Sequence, residues 1–125
     1  TARAFDVARG GVLGLEHAAA LTFEALGGAD ASPARFFELL SRAPARLAQL
    51  RRADEPVGLS GHGGEVAVDE AANLVVFDPA ARWSVDATRL QSRARNTPYA
   101  GRDLTGRVRA TIVRGRVVVA HGELA

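Results

Sequence analysis

The chain has 125 residues, 47% of them apolar and 24% charged, which suits one modest soluble globular domain or part of one. Its formal charge of +2 rests on 16 arginines with no lysine, and no basic stripe carries interleaved aromatics, so a nucleic-acid partner is not expected. Zero cysteines exclude disulfides and thiolate metal sites, and no apolar run approaches the ~18 residues of a membrane span. No basic-then-apolar leader opens the chain, so the cytoplasm is the expected compartment.

Residues 1–14 read as a loop, because Gly10-Gly11 and Gly14 bracket Val12-Leu13 and leave no room for either periodicity. From Leu15 to about Leu26 apolar residues recur at helical spacing, and Gly27-Gly28 ends the helix. His17 stands beside Glu16, but adjacent helical positions diverge by about 100° and cannot chelate one ion, so a structural or solvated His17 is expected. Ser32-Pro33 is a helix start, with an N-cap hydroxyl followed by a proline whose missing N–H costs nothing. Pro44 is expected to stop this helix near Arg42 and to open a second, Ala45 to Leu50, at an angle to the first.

The polar, glycine-rich stretch from Arg51 to Gly64 reads as the junction between a helical half and a β half. Gly61-His62-Gly63-Gly64 lacks the strand, helix and lysine of a phosphate loop, so a surface loop is expected. Short strands follow at Glu65 to Val68, Leu74 to Phe77, Trp83 to Val85, Arg107 to Val113 and Arg116 to Ala120. The unbroken apolar run Leu74 to Phe77 predicts a strand covered on both faces and ended by Asp78-Pro79. Asp86 to Leu90 suggests one capped helical turn, Arg114-Gly115 a hairpin turn, and His121 an exposed end residue. Phe77 and Trp83 are expected in the core of the β half with Leu74, Val76, Ile112 and Val117, while Arg107, Arg109 and Arg116 take the other face.

The most informative stretch is Ser92 to Arg116. Its order, S-R-x-R-N-T-P-Y-x-G, then L-x-G-R-V, then T-I-V-R-G-R-V, resembles the C-terminal tail of bacterial dihydroorotases of the cyclic amidohydrolase family. The resemblance extends through Ala72-Asn73-Leu74-Val75-Val76-Phe77-Asp78-Pro79, Leu40 to Arg46, and Gly11-Val12-Leu13-Gly14-Leu15-Glu16. It implies an α+β fold: the last helices of an amidohydrolase (β/α)8 barrel over residues 1–52, then the C-terminal part of a small β-sandwich over 53–125. It also implies that Gly10 and Gly11 lie at the barrel mouth and touch the substrate through their backbone, with Arg9 standing where the family has proline.

The chemistry implied by that family is closure of N-carbamoyl-L-aspartate to dihydroorotate, with zinc activating water and an aspartate moving the proton. Its H-x-H pair, carboxylated lysine, further histidines and D-H-A-P-H-like run have no counterpart here, so no catalytic residue and no metal ligand is expected in this chain. With no methionine and a start at Thr1-Ala2-Arg3, the chain reads as a C-terminal piece whose partner is the missing N-terminal segment. Homo-oligomerisation is a further expectation. Allantoinase, or a non-catalytic dihydroorotase-like subunit supporting aspartate transcarbamoylase, are the alternatives.

Overall fold

A computed structural model of the chain describes residues 11–50 and 66–125, so the expected features at Gly10, His62 and the junction from Arg51 to Gly64 lie outside the described residues. Helix α1 (Ala18–Ala25) begins later than Leu15, because residues 15–17 form a turn closed by the His17 N–H donating to the Gly14 carbonyl at 3.0 Å. It ends as predicted: Gly27 takes a left-handed φ of 105°, which a side chain would resist. Helix α2 (Pro33–Phe37) starts at Ser32, whose hydroxyl accepts from the Arg35 N–H at 3.4 Å.

Pro44 does not break the helical path as expected. A π turn over Glu38–Arg42 connects α2 directly to α3 (Ala43–Leu47). Proline lacks an N–H and its ring crowds the carbonyl four residues back, here that of Leu40; the wider π turn accommodates both while the helical run continues. The run ends before Leu50, where Gln49 turns to a positive φ of 55°.

Among the described residues, four strands form an antiparallel sheet in chain order: β1 (Leu74–Ser84), β2 (Asp103–Val113), β3 (Arg116–Ala120) and β4 (Glu123–Leu124). The two strands expected at Leu74 and Trp83 are thus one, and Asp78-Pro79 is a bulge within it. The register slips between Asp78↔Arg107 and Arg82↔Thr105. There the Asp78 carboxylate accepts the N–H groups of Ala80 and Ala81 at 3.0 and 3.2 Å, and Pro79 has no N–H to leave unpaired, so the strand resumes instead of ending. Because β1 continues, β2 begins earlier than expected, with Ser84↔Asp103 and Trp83↔Leu104 paired.

Val66 to Val68 form no strand; Val66 and Val68 are almost fully exposed and lack packing that would hold one. The helical turn expected at Asp86 is an Asx-type turn, since the Asp86 carboxylate takes the Thr88 N–H at 2.8 Å and its hydroxyl at 2.7 Å. The turns at Arg114-Gly115 (φ 51°, 77°) and His121-Gly122 (φ 54°, 82°) both have two left-handed residues, as the tightest hairpins require. The second generates β4, whose two residues are too short to show any periodicity.

The core sits where α1 crosses β2. Ala20, Val85 and Leu104 are buried together, with Leu21, Trp83 and Tyr99 packed around them. Phe23, Phe36 and Phe77 form a second contact between helices and sheet, with ring centroids 4.7–6.1 Å apart. Gly106 makes that approach feasible: at φ 93°, an added Cβ would lie 2.4 Å from Phe77 Cζ and 3.1 Å from Phe23 Cδ1.

The core expected for the β half is only partly realised. Val76 and Val117 are exposed, as is Val75, and Leu74 and Ile112 are half-buried. The reason is positional, since among the described residues the helices cover the Leu104 to Val108 end of the sheet and not its Leu74 to Val76 end. Nor is the arginine face bare: Arg107 stacks over Trp83 at 5.8 Å, and Arg109 pairs with Asp78 at 2.8 Å.

Candidate functional site

The chain entering α1 and the loop between β1 and β2 meet to form one structure. Gly11 adopts φ 69°, a conformation glycine takes without strain. Its carbonyl accepts a hydrogen bond from Asn96 Nδ2 at 2.7 Å, and the Leu13 N–H donates to the Asn96 carbonyl at 2.8 Å. Asn96 therefore grips the 11–13 segment with both its side chain and its main chain. Three residues on, the Glu16 carboxylate accepts the N–H groups of Gln91 and Ser92, each at 3.1 Å. A carboxylate is well suited to holding two adjacent loop amides, because charge-assisted bonds are stronger than neutral ones.

The Asn96 loop owes its shape to its own sequence. Pro98 fixes its φ and keeps Thr97 out of the helical region. The Thr97 hydroxyl accepts from the Tyr99 N–H at 3.2 Å, and Gly101 at φ 75° donates to the Val85 carbonyl at 2.8 Å. The Arg95 guanidinium donates back to the carbonyls of Ser92 and, at 3.1 Å, Ala94.

Beneath the two loops lies His17, fully sealed from solvent. Its Nε2 is 3.2 Å from the Thr97 hydroxyl, and its ring meets Tyr99 edge-on at 5.7 Å and Trp83 at 6.1 Å. Glu16 and His17 thus diverge, one to the loop amides and one to the interior, and make no chelating pair. Among the described residues, His17 Nδ1 finds no hydrogen-bond partner. Among the described residues, no three of His, Asp and Glu lie close enough to hold a metal ion. His121 occupies an exposed turn. The residues described do not fit a zinc centre.

Of the expected substrate residues, Gly10 lies outside the described residues and Gly11 is exposed at the clamp. The roles of Asn96 and Glu16 in tying the glycine segment to the second loop were not predicted. The Asn96 loop lies in the most informative stretch and the glycine segment within the family resemblance, but a single sequence carries no signal that joins positions 85 apart.

No family model matches the chain. Among curated proteins it is similar to the dihydroorotase of Anaeromyxobacter dehalogenans strain 2CP-C, 39% identical over 119 residues, covering 95% of this chain and 25% of the relative. The dihydroorotase of Mycobacterium leprae is 37% identical over 120 residues, covering 95% and 26%. Among solved structures, a D-hydantoinase (dihydropyrimidinase) from Thermus sp. superposes with a TM-score of 0.75 at 26% identity, over 98% of this chain and 25% of that one. Fold and sequence together place the chain in the cyclic amidohydrolase family. Within that family, the curated relatives it matches along nearly its whole length are dihydroorotases, and it spans about a quarter of their length.

Proposed function

We propose that this chain is the C-terminal part of a dihydroorotase, interconverting N-carbamoyl-L-aspartate and dihydroorotate in pyrimidine biosynthesis. The observation that supports this is the match to dihydroorotases over 95% of the chain, including the loop that carries Gly11. In this reading residues 1–52 complete a hydrolase barrel and 53–125 belong to a β-sandwich. Gly10 and Gly11 present backbone to the substrate. A zinc ion would be held by residues of the segment N-terminal to this chain and would supply the Lewis-acid activation of water that hydrolysis of a cyclic amide needs. That segment is the principal partner, and the exposed Val75, Val76 and Val117 end of the sheet is available for it to cover. The complete protein acts in the cytoplasm, as a homo-oligomer or in contact with aspartate transcarbamoylase.

The test is an assay of the full-length protein on dihydroorotate, allantoin and a hydantoin, beside the 125-residue chain alone. Turnover of dihydroorotate by the full-length protein only is the expected result. Preference for allantoin or a hydantoin would replace dihydroorotase with another cyclic amidohydrolase, and a full-length protein inactive on all three would favour a supporting subunit. Metal analysis should find no stoichiometric zinc on the short chain, since a catalytic zinc needs about three converging protein ligands.

A further inference from the structure

The clamp between the two loops has an asymmetry that bears on the substrate segment. Glu16 holds the second loop by main-chain N–H groups, whereas Asn96 holds the glycine segment itself, at Gly11 and Leu13. A trans peptide unit is planar, with its C=O and N–H pointing to opposite sides. A hydrogen bond that fixes the Gly11 carbonyl therefore fixes the direction of the Val12 N–H as well. Glycine at φ 69° has little intrinsic preference among several backbone conformations, so an external restraint is needed to select one. The Leu13 bond to the Asn96 main chain would survive a side-chain change; the Gly11 bond would not.

We propose that Asn96 is a positioning residue for the substrate: its side-chain amide fixes the plane of the Gly11-Val12 peptide, so that this backbone is already shaped for the ligand before binding. The proposal rests on the reading above, in which the glycine segment meets the substrate. The carbonyl of Gly11 requires a donor, which the amide supplies and a carboxylate at neutral pH cannot. Asn96→Asp keeps size and shape while turning an attraction into a repulsion between two acceptors. The neighbouring contacts of Thr97 with His17 and Tyr99 do not involve the Asn96 side chain, so the loop retains its own supports.

The experiment uses the full-length protein, with steady-state kinetics on dihydroorotate and thermal unfolding for wild type, Asn96→Asp and Asn96→Ser. Loss of a single orienting contact, amplified by misplacement of the segment, predicts a rise in KM of about tenfold for Asn96→Asp. Asn96→Ser, which keeps a donor on a shorter arm, should lie between it and wild type. Melting temperature and metal content should stay near the wild-type values for both. An unchanged KM with activity falling only in step with melting temperature would mean that Asn96 merely holds the fold, and would overturn the proposal. If Asn96→Asp does not fold, Asn96→Ser decides it: a KM equal to wild type overturns the proposal, and an elevated KM at unchanged melting temperature supports it. A wild-type protein that turns over no cyclic amide would remove the functional reading and this proposal together, whereas an active wild type with indifferent Asn96 variants removes the proposal alone.

Discussion

At one end of the sheet Leu104 and Val85 are all but sealed beneath α1, whereas at the other Val75, Val76 and Val117 each keep about half of their surface exposed. β1 and β2 run through both ends; what differs among the described residues is the presence of a covering helix. A run of apolar residues reports that a strand is fit to be covered, not which segment provides the cover. The outer edge of β1 adds to the contrast. Among the described residues it pairs only with β2, leaving an eleven-residue strand at the rim of the sheet. Its bulge at Asp78 to Arg82 and the proline within it are devices that discourage pairing with a stray strand.

The largest effect that could break this comparison belongs to the covered end. Leu104→Ala should cost about 2–5 kcal/mol in denaturant unfolding of the full-length protein, as expected for deletion of a buried leucine side chain. A loss under 1 kcal/mol, on the order of a surface substitution, would mean that α1 does not seal this end. Gly106→Ala comes next, at about 1–3 kcal/mol, because the new methyl meets a Phe77 ring already wedged between Phe23 and Phe36. Removing the Phe77 ring in a Gly106→Ala, Phe77→Leu double variant should make the glycine change less costly, and strictly additive effects would argue against the contact.

A pH-dependent effect lies at the bulge. The Arg109 guanidinium, with the Ala80 N–H, holds the Asp78 carboxyl below its ordinary value of 3.8. A folded-state value below the unfolded one adds stability that is present above about pH 4 and is lost as the pH falls through the folded value. Asp78→Asn should therefore lower the melting temperature modestly at neutral pH, and the gap from wild type should close on acidification. A gap independent of pH would mean that ionisation of Asp78 contributes nothing and that the loss comes from the poorer fit of the amide at the bulge. The smallest effect is at the open end: Val75→Thr in the 125-residue chain should change stability by no more than about 0.5 kcal/mol. A cost comparable to that of Leu104→Ala would show that this end is buried by self-association.

The sequence made the local grammar of the fold legible. Ser32-Pro33 and Gly27 placed helix ends, and Arg114-Gly115 placed the hairpin, because each depends on a few adjacent residues. Features that depend on competition were misjudged. Pro44 was expected to break a helix that a π turn keeps continuous, and Asp78-Pro79 to end a strand that the Asp78 carboxylate carries across. The candidate site divided the same way. The Gly11 segment and the Asn96 loop were each conspicuous, through glycine and proline, but their junction was not, since nothing local at either residue announces a partner so distant in sequence.

That distance also has a consequence in time. The bonds from Gly11 to Asn96, from His17 to Thr97 and from Glu16 to Ser92 span 85, 80 and 76 residues. Contacts this remote form only after a large loop has closed, which slows folding more than it lowers stability. On the ribosome, the glycine segment emerges long before the asparagine that will shape it. The nascent chain can build α1 early, but it reaches the geometry around Gly11 only when synthesis has passed the β1-β2 loop.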